Sequence, residues 1–253
     1  MKLLIDAELY LFTYCEACTY EAEWEPDDWT LLVRHGEVKM KLQSEINDLL
    51  QFFPGAQPVL CFGDRASFRY GVWPDYKSAR KKRRKPAGYL DLVAWVEAVA
   101  PTRDWRFARF PDIEGDDVMG ILYEPGDVIC SWDKDLLSIP GTHWRNSEGR
   151  FHGRLLEANQ EDADRQFFTQ VLTGDATDGY PGCRGIGPKG AEKMLARCVD
   201  EAAMWLAVLC AFSDAGHSEE FLLQQARCAR ILRAGEYDFD KGVPRLWLPP
   251  DKR

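Results

Sequence analysis

Val59-Leu60-Cys61-Phe62-Gly63-Asp64 is an apolar run closed by a glycine and an acid. Entered from Pro58, it has the form of a strand buried on both faces. Leu3-Leu4-Ile5-Asp6 has the same form near the N-terminus. Between the two, Val38, Leu42, Ile46, Leu49 and Leu50 recur at helical spacing from about Glu37 to Phe53, and Pro54-Gly55 ends the run. Residues 7 to 18 also read as helix. Strand, helix and strand in that order predict an α/β fold, with a mostly parallel sheet flanked by helices. Ligands of such a sheet bind beyond the carboxyl ends of its strands, where Asp6 and Asp64 both fall.

Further along, Trp105 to Phe110 reads as a third strand. It leads into Glu114-Gly115-Asp116-Asp117, which opens a helix through Leu122. Glu114 and Asp117 share a helical face, and a helix N-terminus tolerates acids well. The strand from Asp127 to Cys130 delivers Asp133 and Asp135 to the same edge, where alternate residues of an extended segment point one way. From about Leu155 the pattern turns wholly helical, over 161–172, 189–197, 200–212 and 218–233. The turn-like Glu25-Pro26-Asp27-Asp28 interrupts the first half, and the tail from Val243 reads as extended.

A lone acid at a strand end is most often a helix cap or turn residue. Acids at three strand ends and a helix start are not explained by independent capping. Crowded carboxylates repel one another unless a cation sits among them, and Mg²⁺ or Mn²⁺ is the usual occupant of an all-oxygen site. That chemistry points to phosphate esters. No Ser-His-Asp or Cys-His arrangement can be drawn from the four dispersed histidines. The eight cysteines scatter through predicted strands and helices as small buried thiols, and the short-spaced Cys15 and Cys18 have no second pair to complete a zinc tetrad.

The formal charge of −9, from 32 basic and 41 acidic residues, argues at first against a nucleic-acid partner. Its distribution reverses that. Lys77 to Lys85 reads Lys-Ser-Ala-Arg-Lys-Lys-Arg-Arg-Lys, a dense cationic strip next to the Asp64 strand end, with Tyr70, Trp73, Tyr76 and Tyr89 around it. A second phosphate-seeking feature follows Asp175 and Asp178. Gly185-Ile-Gly187-Pro-Lys189-Gly190 forms a tight turn into a helix, with Lys193 one turn on. Backbone N–H groups of such a turn and the helix N-terminus both attract phosphate. No run approaches the roughly 18 apolar residues of a membrane span, and no signal-peptide core precedes Asp6. A cytoplasmic protein is expected.

In combination these motifs resemble the 5′-nuclease superfamily: flap endonucleases, the 5′-nuclease domain of bacterial DNA polymerase I, and small phage 5′→3′ exonucleases. The resemblance rests on Ile5-Asp6, Gly63-Asp64, Pro74-Asp75-Tyr76-Lys77-Ser78-Ala79-Arg80, Glu114-Gly115-Asp116-Asp117, Asp133-Lys134-Asp135, and Gly174-Asp175-Ala176-Thr177-Asp178 followed by Gly185-Ile186-Gly187. It implies a PIN-like, Rossmann-like α/β core over residues 1–155, with a basic arch segment at about 70–110. A helical DNA-binding part over 156–253 would carry a helix–three-turn–helix element, related to the helix-hairpin-helix, at 172–197. Asp6, Asp64, Glu114 and Asp116 correspond to ligands of one divalent metal; Asp133, Asp135 and Asp178 to those of a second. Asp117 and Asp175 would lie nearby or in the outer shell. Lys77 and Arg80 match cations at the scissile phosphate. Tyr76 matches an aromatic that stacks on a nucleotide, and Arg83 and Arg84 belong to the DNA-gripping strip. Gly185, Gly187, Lys189 and Lys193 would hold duplex DNA, with K⁺ admitted at the glycine hairpin.

The implied activity is that of a two-metal 5′→3′ exonuclease or flap endonuclease, acting as a monomer on DNA 5′ ends, flaps and junctions, with RNase H action on RNA–DNA hybrids also admitted. The family setting is phage-type DNA replication or degradation. Trp132 and Gly115 depart from the family's usual residues without removing a ligand. A PIN-type ribonuclease shares the acidic core but lacks the glycine hairpin. A non-catalytic DNA-junction binder would not need the full acid set.

Overall fold

The computed structural model describes residues 1–26, 28–79, 85–145 and 153–253. Its centre is a sheet of six strands: β1 (Lys2–Asp6), β4 (Gln57–Cys61), β5 (Arg106–Ala108), β6 (Val128–Cys130), β7 (Gly141–Arg145) and β8 (Arg154–Ala158). They lie in the order β5-β4-β1-β6-β7-β8, and only β8 runs antiparallel to its neighbour. The α/β expectation with a mostly parallel sheet therefore holds.

Because successive residues of a strand point to opposite faces, the sheet feeds two cores. Leu3, Ile5, Leu60 and Phe62 pack on one side with α1 (Ala7–Ala17), α2 (His35–Phe52) and α4 (Tyr89–Val99). On the other side Leu4, Val59, Cys61 and Ile129 meet α5 (Gly115–Leu122) together with Ile231 and Leu232 from near the C-terminus. A third core belongs to α6 (Gln160–Thr173), α7 (Pro188–Leu195), α8 (Glu201–Asp214) and α9 (Glu219–Ala229), and includes Phe167, Phe168, Trp205 and Phe212. Tyr76 and Trp247 join this helical core from distant parts of the sequence.

Several details differ from the sequence reading. Thr19–Glu25 (β2) and Asp28–Val33 (β3) form an antiparallel hairpin around the turn read at Glu25. Both its faces are largely exposed, so no apolar face gave it a period to read. β7 and β8 were also not read as strands. β8, at the sheet edge and mostly exposed, carries too few buried side chains to show alternation. Much of the segment read as arch is core instead: Tyr89, Leu92, Val93 and Val96 of α4 are buried. Arg80, Arg83 and Arg84 lie outside the described residues.

Candidate metal and phosphate site

Four acids from three elements converge at the carboxyl edge of the sheet. Asp6 ends β1 and caps α1, accepting from the Leu9 backbone N–H at 3.1 Å. Capping and site membership thus coincide in one side chain. Its other oxygen accepts from Ser131 Oγ at 2.7 Å, and the same hydroxyl accepts from the Asp133 backbone N–H at 3.0 Å. Ser131 is the brace between the acids of β1 and those following β6, and the sequence reading passed over it.

The electrostatics of this group are those of repelling anions. Burial pushes the Asp6 carboxyl up to about 7, against the Ser131 and Leu9 hydrogen bonds and with help from Glu8 and Asp133. Burial raises Asp116 well above the carboxylate range, and the charges of Asp6, Asp133 and Glu114 add to it. Asp135 is pushed up to about 6 by burial, then by Asp133, with Asp175 also contributing. Asp135 holds its place through a backbone N–H bond to Asp133 Oδ1 at 2.9 Å.

Glu114 behaves in the opposite way. Burial alone would raise it, but Arg69 and Lys77 hold it below the ordinary range, with hydrogen bonds from Lys77 and Tyr76. Lys77 Nζ lies 2.7 Å from Glu114 Oε1 and 3.8 Å from Asp178 Oδ2. Its backbone has φ of 53°, in the left-handed region that a side-chain-bearing residue rarely adopts. A 2.7 Å bond from its N–H to the Asp178 carbonyl pins it there. The only cation drawn into the acids among the described residues of the 77–85 strip is thus held on a strained backbone.

Tyr76 corrects an expectation. Its ring is 1% exposed in the helical core, so it cannot stack on a nucleotide as placed. Its hydroxyl instead bridges Glu114 Oε2 and Asp178 Oδ2, each at 3.0 Å. Asp117 is also corrected. It is fully buried, forms a two-pronged pair with Arg69 at 2.6 and 2.8 Å, and accepts from the Leu232 and Glu114 backbone N–H groups. All its acceptor capacity faces inward, so it braces the helix start. Arg69 also donates to the Cys228 and Arg230 carbonyls. The sequence reading missed Arg69, for which the available signal was a lone cation between Phe68 and Tyr70.

Asp64 stands apart. It is exposed, and its two oxygens accept from the backbone N–H groups of Arg65 and Asp112. Asp175 caps its own turn, accepting from the Thr177 and Asp178 N–H groups. A further missed residue is Glu8, whose carboxylate takes the Gly63 N–H at 3.2 Å and the Tyr89 hydroxyl at 3.3 Å. Here backbone meets backbone: a Cβ on Gly63 would lie 2.9 Å from the Gly115 nitrogen. Glycines at both positions let the end of β4 sit against the start of α5.

Among the described residues no three His, Cys, Asp or Glu side chains close into a ready-made cage. The acids instead form a line of neighbours, from Asp6, Asp116 and Glu114 through Asp133 to Asp135 and Asp175. This donor set fits a hard divalent ion: all oxygen, half-buried apart from the buried Asp6, mutually repelling, and open enough for an ion that keeps several waters. Further along, the turn at Gly185 (φ 86°) and Gly187 is exposed, as are Lys189 and Lys193, and Gly187 precedes the first turn of α7. No helix among the described residues is long and apolar enough to cross a membrane.

No family model matches the chain. It is 29% identical to the exonuclease of Escherichia phage T7, across 98% of this chain and 93% of the phage protein. It is 30% identical to the flap endonuclease Xni of Shewanella amazonensis, across 56% of this chain and 60% of that one. The zinc-bound structure of the T5 5′-exonuclease superposes with a TM-score of 0.62 at 16% identity, covering 90% of this chain and 88% of that one, a likeness of fold.

Proposed function

We propose that this chain, a member of the 5′-nuclease superfamily, hydrolyses DNA phosphodiester bonds at 5′ ends and 5′ flaps with divalent metal ions. One observation carries the reading: Asp6, Glu114, Asp116 and Asp133 crowd the carboxyl edge of a parallel sheet, with Lys77 forced in beside them. Carboxylates gathered this closely repel one another, and at neutral pH a divalent ion relieves that repulsion without protonating them.

Asp6, Asp64, Glu114 and Asp116 would hold one ion, Asp64 from the edge of the group. Asp133, Asp135 and Asp178 are assigned to the second, with Asp175 supporting their loop. When bound, Mg²⁺ or Mn²⁺ would supply an activated water and a Lewis-acid contact to the leaving 3′ oxygen. Lys77 neutralises the scissile phosphate, exchanging Glu114 for a phosphate oxygen, and Arg80 is its partner from the basic strip. Tyr76 keeps Glu114 and Asp178 a fixed distance apart. Ser131 does the same for Asp6 and the Asp133 loop.

Residues 1–155 form the metal-binding core of this scheme, and 156–253 add Asp178 and the duplex-holding part. Lys189, Lys193 and the turn at Gly185 and Gly187 grip phosphates, with K⁺ on that turn as part of the proposal. Arg83 and Arg84 guide the single strand. The protein works as a monomer, and an RNA–DNA hybrid is a further substrate.

The test uses 5′-labelled duplex, 5′-flap and RNA substrates with Mg²⁺, Mn²⁺ or EDTA. Cleavage of the DNA substrates with metal and none with EDTA is expected. Asp133→Asn should abolish cleavage while binding flap DNA as tightly as the wild type. Wild-type rates from that variant would sink the assignment, and cleavage of RNA alone would favour the ribonuclease reading.

A further inference from the structure

Beside Asp133 lies a shallow cavity of about 330 Å³, lined by Leu9, Trp132, Asp133, Lys134 and Arg145. We propose that it is a nucleotide subsite, taking one nucleotide of the cleaved strand next to the scissile phosphodiester. The proposal rests on the nuclease reading and goes beyond it, naming a specificity residue, Trp132.

The cavity is shallow and open to solvent, a footing for one nucleotide and not an enclosing pocket. Trp132 is half-buried and held edge-on to Tyr10, with centroids 4.6 Å apart at 79°. That ring is therefore fixed before any ligand arrives, and an ordered aromatic wall is what base stacking requires. The Trp132 carbonyl accepts from Arg145 Nη2 at 2.6 Å, which ties the guanidinium of β7 to the cavity wall. Arg145 lines the cavity with its guanidinium tethered there, and a guanidinium matches phosphate oxygens well. Lys134 is exposed on the same wall and adds a second cation.

An aromatic wall and two cations select a ligand with a flat ring and an anion, which is a nucleotide. Asp133 lines the cavity and belongs to the acid line, so the bound nucleotide adjoins the reacting bond.

The experiment measures binding of 5′-flap DNA in EDTA by fluorescence anisotropy, with a single abasic site moved stepwise across the junction. In the wild type, the abasic site at one position next to the cut should weaken binding about tenfold, the value of one stacked base. In Trp132→Ala that penalty should vanish, whereas Trp132→Phe should keep most of it. A merely structural role for Trp132 would weaken every probe alike. Lys134→Ala, at an exposed position, should erase the effect of a neutral methylphosphonate at the same linkage. An undiminished abasic penalty in Trp132→Ala, or an undiminished methylphosphonate effect in Lys134→Ala, overturns the proposal. Failure of the wild type to cut the unmodified flap with Mg²⁺ would instead overturn the nuclease reading beneath it.

Discussion

Lys77 shows how much a single residue can carry. Its left-handed backbone is held by the Asp178 carbonyl, and its ammonium rests on Glu114, the contact that the proposed mechanism trades for a phosphate oxygen. Lys77→Ala should lower the rate of flap cleavage roughly 100-fold or more, in line with removing one preorganised donor from a transition state. Single-turnover kinetics checks this, and unchanged flap affinity in EDTA would place the loss in the chemical step. Lys77→Gly should relax the backbone yet recover no activity, which separates charge from conformation.

At the scale of elements, the turn at Gly185 and the first turn of α7 present Lys189 and Lys193 to solvent without a competing acid in the first turn. Replacing both lysines by alanine should weaken duplex binding and reduce the slope of log affinity against log salt by about 2, one unit for each lost phosphate contact. Titration at several salt concentrations measures it. This element was legible because glycine and proline fix turns locally. The strands β1, β4 and β6 were legible because both their faces are buried and the sequence shows it as unbroken apolar runs. The β2–β3 hairpin and β8 were not, since exposed strands leave no such trace. The acids were legible as candidates, since several close apolar strands. Their grouping was not: Asp117 turned inward to Arg69, and Asp64 turned outward to two backbone N–H groups, and both choices depend on partners far away in sequence. Arg69, Glu8 and Ser131 act through those same distant partners, so no local pattern marked them.

For the whole molecule, the Arg69–Asp117 pair is the junction of sheet and helices. Arg69 reaches the carbonyls of Cys228 in the last turn of α9 and of Arg230 just after it, and Asp117 takes the Leu232 N–H. Asp117→Ala would leave a buried guanidinium unpaired and should destabilise the protein by about 3–5 kcal/mol. Urea denaturation should show a lower midpoint at similar slope. His143 contributes a pH dependence. Burial lowers its pKa in the folded state, against the hydrogen bond to the Ile139 carbonyl. The unfolded chain therefore takes up a proton first: this contribution is fully retained above about 6.5 and shrinks as pH falls below it. His143→Gln should narrow the loss of urea midpoint between pH 7.5 and 5.5, and an unchanged loss would exclude His143 as its source.

The loop bearing Lys77 is stapled to the loop bearing Asp178, by the Lys77 N–H and by Trp73 Nε1 on the Gly179 carbonyl at 2.9 Å. The edge where the acids gather is consequently a seam between segments that lie about 100 residues apart in the chain, Trp73 pairing with Gly179 across 106 positions. A chimera that borrowed only the sheet would inherit most of the carboxylates but lose the clamp that presses the lysine among them.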